Sequence, residues 1–519
     1  MVPDKTSEIP LFIQIRDELR AGIRSGTMKA GARIPTVTAL ARERGVTAAT
    51  IRRAMQDLVA EGLVTTHVGR GTFVSDARPS APPGAAASKP RADRSGVGQS
   101  VARSLAGMMS LAQKKGVIAF TRGIGDPLTV EKGILKRLAA DALSSGEEMF
   151  WDYGDSRGLP ALREAIARLY RARGIDVASG SVLVTSGSQQ AISLLAQQAA
   201  ETGAPVICET PCYAGVTNAL AAFGISFGTV PRDGEGPVVS LLPEGKDAEG
   251  ALLYLCPILH NPTGTDISHA RLAEVSAWAA RNRATVVSDE VYRDLHFGEA
   301  PSRAGDSARQ ETDERPDAGA RAAYEIPSFM KSKAGHDTVA LGSLSKSFIS
   351  GLRVGWIVAP ESRIASLTAI KKAMDLGCPP LMQGIARAFL ESPDGYGAHR
   401  ERVLGHYRSL RDVTVDALAR HMPAGVTWTT PQGGFQLQIA LPAGFSSVEL
   451  FPRAVERGVA FLPGPLQEID GRGSGDIRLC YGSLTPEEIR EGVKRLAKAT
   501  DDYLSRGPGN ASVAGLGDF

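Results

Sequence analysis

The sequence is poor in cysteine, with five residues in 519, and none of the five forms a Cys-x-x-Cys pair. A long chain with an odd, scattered set of thiols does not resemble a disulfide-stapled secreted scaffold, and the spacing does not suit zinc. No apolar run reaches the roughly 20 residues that a membrane-spanning helix needs. Asp4 and Glu8 stand where a signal peptide would be basic or apolar. We therefore expect a cytoplasmic protein with reduced thiols, no bound metal and no membrane anchor.

Net charge is also low, at +3, so the chain as a whole is not marked as a nucleic-acid binder. The first 75 residues nevertheless carry eleven Lys and Arg against seven Asp and Glu. The length exceeds what one hydrophobic core supports, so several domains are expected. Composition predicts a compact domain over 1–75, a flexible linker rich in Pro, Ala and Ser over 76–104, a large domain over 105–503 with a flexible polar insertion at 299–322, and a disordered tail over 504–519.

The amino-terminal domain has the pattern of a helix-turn-helix followed by a hairpin. Pro35 and Thr36 open a short helix that Gly45 ends, and Thr47 caps a further helix. Two β runs then flank Gly69-Arg70-Gly71, which predicts a tight hairpin with the arginine at its tip. This combination suits insertion into a DNA major groove. A small helical domain with a solvated basic face is the alternative interpretation.

This segment resembles the GntR-type winged helix, and the resemblance spans residues 8–75. It is carried by the run RIPTVTALARERGVTAATIRRAMQDLVAEGLVTTHVGRGTFV. Two positions depart from the family pattern, since Thr38 and Ala48 stand where arginines are common; this bears on the operator sequence rather than on the fold. The resemblance implies binding to double-stranded operator DNA. The implied contact residues are Arg33, Thr47, Thr50, Arg52, Arg53, Gly69, Arg70 and Gly71.

Short apolar runs alternate with helical segments in the large domain, which predicts an α/β fold with a parallel sheet covered on both faces. The runs are Ser181–Thr185, Val206–Cys208, Ala251–Leu255, Thr285–Ser288, Thr338–Leu341 and Val354–Val358.

Motifs near these runs offer the four parts of a pyridoxal 5′-phosphate (PLP) site: an amine, a phosphate cradle, an acid for the pyridine nitrogen and a ring clamp. Lys346 lies among small residues in SLSKSFISGLR, with Arg353 as a nearby cation. Ser188 begins a helix, and free N–H groups there favour a phosphate. Asp289 ends a buried strand, and Tyr213 can stack on a ring. Taken singly, these features have ordinary alternatives, such as a surface lysine or a helix-capping aspartate.

Together the motifs are similar to the fold-type I, class I and II aminotransferases over residues 105–503, with a large sheet domain and a smaller C-terminal α/β subdomain. The resemblance implies PLP bound as an aldimine to Lys346, with Asp289 on the pyridine nitrogen and Tyr292 completing the catalytic set. Arg478 in IRLCYG would bind an α-carboxylate, and Tyr153 would be donated across a homodimer interface. The implied cofactor contacts are Ser188, Gln189, Tyr213, Asn261, Asp289, Tyr292, Ser343, Ser345, Lys346 and Arg353.

The order of winged helix, linker and aminotransferase-like domain resembles the MocR/GabR-type regulators. It implies a PLP-dependent transcription regulator that senses an amino acid or related amine as an external aldimine and binds its operator as a homodimer. A catalytically active aminotransferase with an accessory DNA-binding domain is the alternative, because every residue for the chemistry is present. A sensor of the PLP level alone is a third interpretation.

Overall fold

The computed structural model describes residues 115–144, 153–298, 324–468 and 473–507, and in the amino-terminal region residues 12, 14–16, 19, 23, 28, 32–48, 50–51, 54–55, 58, 64–67 and 71–74. The chain divides into two compact units, residues 1–92 and 93–519. The predicted linker at 76–104, the insertion at 299–322 and the predicted tail from residue 508 onward lie outside the described residues. The predicted domain boundaries therefore stay predictions.

The amino-terminal unit contains a short capped helix and a three-stranded antiparallel sheet. Helix α1, Val37–Arg44, begins after Thr36, whose hydroxyl accepts the Ala39 N–H at 3.2 Å, and it ends at Gly45 with φ of 64°. The strands are β1 (Arg33–Ile34), β2 (Val64–His67) and β3 (Gly71–Val74), in the order β1-β3-β2. The structure confirms the predicted helix and hairpin and adds β1, a two-residue strand that is too short to leave a sequence pattern.

An eight-stranded mixed sheet forms the centre of the large unit. Its order is β5-β12-β11-β10-β9-β6-β7-β8. The strands are β5 (Val182–Thr185), β6 (Val206–Thr210), β7 (Gly228–Asp233), β8 (Gly236–Pro237), β9 (Leu252–Leu255), β10 (Thr285–Asp289), β11 (Asp337–Ser343) and β12 (Gly355–Val358). All six predicted runs are strands, with ends shifted by one or two residues.

The sheet is mostly parallel, as predicted, and one of the six runs is an antiparallel exception. Strand β12 lies antiparallel to both of its neighbours, β11 and β5. Only residues 344–354 connect β11 to β12, and a parallel crossover needs about a dozen residues or more. The short connection therefore returns the chain in the opposite direction, and it carries Lys346 across the end of the sheet.

Helices cover both faces of this sheet, as the nearly continuous apolar strands predict. One face packs on α4 (Ser188–Thr202), α5 (Ala214–Ala222) and α8 (Glu361–Asp375), which enclose one apolar core. The other face packs on α2 (Ile134–Ser144), α3 (Pro160–Arg171), α6 (His269–Arg281) and α9 (Pro380–Glu391), which enclose two more. A one-turn helix, α7 (Leu344–Ser347), follows β11.

The C-terminal part has its own core around a four-stranded antiparallel sheet, as the predicted smaller subdomain requires. Its strands are β13 (Thr427–Trp428), β14 (Gln436–Ala440), β16 (Leu462–Pro463) and β17 (Asp476–Cys480), beside a parallel pair of β4 (Ile118–Ala119) and β15 (Val459–Ala460). The helices are α10 (Tyr396–His421), α11 (Ser447–Glu456) and α12 (Pro486–Leu504). Among the described helices, none is both long and apolar enough to cross a membrane.

Candidate cofactor and effector site

The predicted cofactor residues gather at the carboxyl ends of the central strands. Strand β10 ends at Asp289, β11 ends three residues before Lys346, and Asn261 lies beyond the end of β9. These three strands are adjacent and parallel in the sheet, so their carboxyl ends meet at one edge. Ligands of open α/β sheets bind in this position.

Lys346 projects from α7 into the interior of the site. Its Nζ donates to the carbonyl oxygen of Gly123 at 2.7 Å and lies 5.7 Å from the centre of the Tyr292 ring. Burial lowers the pKa of Lys346, and the guanidinium of Arg478 acts in the same direction. A neutral amine is the nucleophilic form of lysine, so the environment prepares this residue to attack an aldehyde.

A cradle for a phosphate surrounds Arg353. Its Nη2 donates to the carbonyl oxygen of Ser186 at 3.0 Å. Gly187 has φ of 84°, and a Cβ at that position would stand 2.7 Å from Nη2, so only glycine lets the guanidinium lie against the start of α4 at Ser188. The Ser345 hydroxyl is buried and has no partner among the described residues. Helix N–H groups, a guanidinium and an unpaired hydroxyl together fit the phosphate of PLP.

Two predicted phosphate contacts have other partners here. The Ser343 hydroxyl donates to the Val354 carbonyl oxygen at 3.2 Å and accepts the Ser345 N–H at 3.1 Å. A hydroxyl has a single hydrogen, and the one on Ser343 is used here within the turn before the lysine. The contact of Ser343 with the cofactor stays a prediction. Gln189 Nε2 donates to the Gly215 carbonyl oxygen at 2.8 Å, so this side chain also has a hydrogen-bond partner within the chain.

Asp289 is a buried carboxylate with two donors from the protein. Its Oδ1 accepts the Val291 N–H at 3.2 Å, and its Oδ2 accepts the Tyr254 hydroxyl at 2.5 Å. Burial raises the pKa of Asp289, whereas the bond from Tyr254 favours the ionised form. A protonated pyridine nitrogen would supply the positive partner that such a buried carboxylate requires.

The aromatic residues of the site differ in their exposure. Tyr213 is 37% exposed, and its hydroxyl donates to Gln189 Oε1 at 3.3 Å. Tyr292 is buried, and its ring packs edge-on against Phe435 with centroids 5.7 Å apart. Tyr153, in contrast, is 76% exposed. A single chain thus builds Tyr213 and Tyr292 into the site and leaves most of Tyr153 on the surface.

Arg478 and Asn261 form the opposite wall. Arg478 Nη1 donates to Asn261 Oδ1 at 3.1 Å, and Nη2 donates to the Thr121 carbonyl oxygen at 3.2 Å. Because Oδ1 is used in this way, the amide nitrogen of Asn261 is the group that can donate to a cofactor phenolate. Arg478 Nε is buried and unpaired within the described part of the chain, which leaves it available to an acidic ligand.

A buried charge cluster that the sequence did not reveal supports the loop bearing Asn261. Glu209 Oε2 lies 2.8 Å from Arg232 Nη1, its Oε1 lies 3.5 Å from His260 Nε2, and it also accepts the Cys256 N–H. Burial, followed by the charge of Arg232, lowers the pKa of His260 well below 6.5. His260 is therefore neutral, and Glu209 pairs with Arg232. The sequence signal for this cluster was indirect: Glu209 stands four residues before Tyr213, and His260 one residue before Asn261, two of the predicted cofactor contacts.

The predicted DNA contacts are described only in part. Arg33 is exposed on β1, and Gly71 begins β3. The Thr47 hydroxyl lies 2.9 Å from that of Thr50 and accepts the Thr50 N–H at 3.3 Å, which confirms the predicted cap. The remaining predicted contacts, Arg52, Arg53, Gly69 and Arg70, lie outside the described residues.

Comparison with known proteins identifies both parts of the chain. Residues 123–496 match the family model for aminotransferase class I and II, and residues 12–74 match that for bacterial regulatory proteins of the gntR family. Over 518 residues the chain is 28% identical to the uncharacterized HTH-type transcriptional regulator YdfD of Bacillus subtilis, covering 97% of this chain and 98% of the relative. It is 26% identical over 517 residues to the probable rhizopine catabolism regulatory protein MocR of Rhizobium meliloti, and the match covers 96% of this chain and 95% of the relative.

A solved structure agrees with the fold of the large unit. The chain superposes with a TM-score of 0.66 and 31% identity on LysN, an alpha-aminoadipate aminotransferase from Thermus thermophilus, over 79% of this chain and 98% of that one. That structure contains N-(5′-phosphopyridoxyl)-L-leucine.

Proposed function

The chain belongs to the aminotransferase class I and II family, with a gntR-family domain at residues 12–74, and we propose that it regulates transcription in response to an amine bound in its PLP site. Of the relatives aligned along nearly the whole chain, YdfD is named as an HTH-type transcriptional regulator and MocR as a probable regulatory protein. The cofactor of the large unit is PLP. One observation carries the proposal: a DNA-binding domain precedes a site in which Lys346, Asp289 and Arg478 each have a hydrogen-bond partner within the chain.

PLP, when bound, supplies an aldehyde carbon that amines compete to hold. Lys346 Nζ would hold that carbon, and Asp289 would keep the pyridine nitrogen protonated. An effector amine would compete with Lys346 Nζ for the carbon, and the guanidinium of Arg478 would bind the acidic group of the effector. These two contacts differ between the free and effector-bound states, so they supply the differential affinity that shifts a conformational equilibrium. The affinity of the DNA-binding domain for its operator then changes with that equilibrium.

A homodimer is part of the proposal. Tyr153, Met374 and Leu376 are 76%, 42% and 45% exposed, and the Leu376 carbonyl oxygen accepts the Ser156 hydroxyl at 2.6 Å, which ties their two chain segments together. Exposed apolar side chains clustered in this way favour an interface. A second copy covering them would also place Tyr153 against the partner's site. Two DNA-binding domains would then bind two half-sites of an operator.

The proposed location is the cytoplasm, because a DNA-binding regulator acts where the chromosome is. A catalytic aminotransferase is the weaker candidate. It is favoured by the presence of both Lys346, for the cofactor, and Arg478, for a substrate carboxylate. Multiple-turnover keto-acid formation from amino acids, without any effect of those amino acids on DNA binding, would support the enzyme instead.

The deciding experiment follows the protein on DNA from the region upstream of its own gene. Fluorescence anisotropy measures the dissociation constant with and without PLP, and across a panel of amino acids. We expect amines that change the cofactor spectrum to change DNA affinity as well, and Lys346→Ala to abolish both responses. DNA affinity that ignores PLP and every amine would refute the proposal.

A further inference from the structure

Three side chains meet at the amide oxygen of Asn261. Arg478 Nη1 donates to Oδ1 at 3.1 Å, and Gln467 Nε2 donates to the same atom at 3.0 Å. Gln467 is only 4% exposed and Asn261 only 7%, so the cluster belongs to the interior wall of the site. Neither the cofactor contacts nor the pairing of Arg478 with an acid explains why a glutamine stands here.

The direction of each amide in this cluster follows from Arg478. A guanidinium carries only N–H donors, so the Asn261 atom that faces it must be the oxygen. The Gln467 atom that faces this oxygen must then be Nε2, because two carbonyl oxygens at that distance would repel one another. Gln467 therefore presents its own carbonyl, Oε1, elsewhere.

That Oε1 atom is a buried acceptor with no hydrogen-bond partner among the residues that the structure describes. Thr121 Oγ1 is in the same condition, in a residue 4% exposed whose backbone carbonyl accepts Arg478 Nη2. Buried polar atoms are normally paired, and an unpaired one indicates that something else supplies the partner. Both atoms belong to residues that contact Arg478 or its amide partner, and so stand beside the guanidinium that would bind the acidic group of the effector.

We propose that Gln467 is a specificity-determining residue: the effector carries, near the acidic group that Arg478 binds, a hydroxyl or N–H group that donates to Gln467 Oε1. An apolar side chain of the same shape would bury Oε1 without a partner, and sites built to bond a donor reject analogues that lack it. This inference rests on the proposed function, because it requires an amine to bind at Lys346.

The test compares the wild-type holoprotein with Gln467→Met, which keeps the size of the side chain and removes the amide. Dissociation constants come from the change in cofactor absorbance during titration with amino acids of matched shape. The pairs are L-serine with L-2-aminobutyrate, L-homoserine with L-norvaline, and L-asparagine with L-leucine. We expect the wild type to prefer the donor in at least one pair, and the variant to reduce that preference about 2- to 10-fold, the net contribution of one hydrogen bond.

Gln467→Glu is the second variant, because it keeps an acceptor at this position although it loses the N–H that bonds Asn261 Oδ1. It should retain the preference for donors, while the lost bond and a carboxylate beside Arg478 weaken the binding of every acidic ligand. A preference that Gln467→Met leaves unchanged, or a wild type that shows none in any pair, overturns the inference while leaving amine sensing intact. A holoprotein whose spectrum no amine alters overturns the proposed function as well. If Gln467→Met fails to take up PLP, the inference is decided by the preferences for donors measured in the wild type and in Gln467→Glu.

Discussion

The Tyr254 hydroxyl donates to Oδ2 of Asp289 at 2.5 Å, from one strand of the buried sheet to its neighbour. Tyr254 and Asp289 are 5% and 4% exposed, so water does not compete for this bond. The bond favours the ionised carboxylate, whereas burial raises the pKa of Asp289. Tyr254 therefore helps to maintain the negative charge on which a pyridinium depends.

Replacing Tyr254 by Phe should weaken PLP binding without unfolding the protein. The phenyl ring keeps the packing, but the carboxylate loses a donor, and hydrogen bonds to charged groups contribute about 1.5–3 kcal/mol. We expect the dissociation constant for PLP, measured by absorbance titration, to rise about 10- to 150-fold. Tyr170→Phe is a matched control, because that buried hydroxyl bonds Trp356 rather than Asp289. Equal losses in both variants would mean that Tyr254 acts only through stability.

Replacing Arg478 by Gln should abolish the response to acidic amines and leave the cofactor in place. Removing one partner of a desolvated ion pair commonly costs about 2–5 kcal/mol, which corresponds to a loss of effector affinity of about 30-fold or more. The spectral change on titration with amino acids measures that affinity. PLP absorbance before titration is the internal control, because Arg478 bonds Asn261 and Thr121 within the described chain rather than the phosphate cradle. Undiminished affinity for amino acids would assign the carboxylate to another residue.

The sequence predicts much of this site because its parts obey local rules. Thr36 and Gly45 bound α1 as capping chemistry requires, and the apolar runs ending at Thr185 and Ser288 are strands of the central sheet. Lys346 and Arg353 stand in a connection whose length is visible in the sequence. Such features depend on neighbours within a few residues, so one sequence is sufficient to see them.

The rest depends on contacts between distant segments. In the sequence Tyr254 is indistinguishable from the other apolar residues of its strand, and its role is visible only once β9 is paired with β10. Gln467 belongs to no recognisable motif. Gly123, which accepts from Lys346 across 223 residues of chain, has no local signal either. Ser343 shows the opposite difficulty, because a local turn uses the hydroxyl that a motif alone would assign to the ligand.

The desolvated amine of Lys346 should make the stability of the cofactor-free protein depend on pH. Burial places the pKa of Lys346 below its ordinary value of 10.5, so in the window between the two values the unfolded chain binds a proton that the folded chain does not. Unfolding free energy then rises with pH across that window and is lowest where the amine is charged in both states. In Lys346→Met this rise should disappear. Urea unfolding of the cofactor-free protein, measured at several pH values below 10.5, tests this. The exposed Lys372→Met variant is the control, and parallel curves for wild type and Lys346→Met would contradict the prediction.

Replacing Gly187 by Ala should damage PLP binding more than it damages the fold. The new Cβ would stand 2.7 Å from Arg353 Nη2, at a residue whose φ of 84° already disfavours any side chain. The guanidinium must move from the start of α4, and the phosphate loses a ligand. Gly203→Ala separates strain from cradle geometry, because Gly203 also has positive φ, at 68°, but nothing lies within 4 Å of its Cβ position. The left-handed helical backbone of Gly203 costs a non-glycine residue about 1–2 kcal/mol, and the backbone of Gly187, with ψ of 169°, is more restrictive still. Both variants should therefore unfold at lower urea concentrations, and Gly187→Ala at the lowest. Only Gly187→Ala should also raise the dissociation constant for PLP, and equal PLP affinity in the two variants would remove Gly187 and Arg353 from the phosphate cradle.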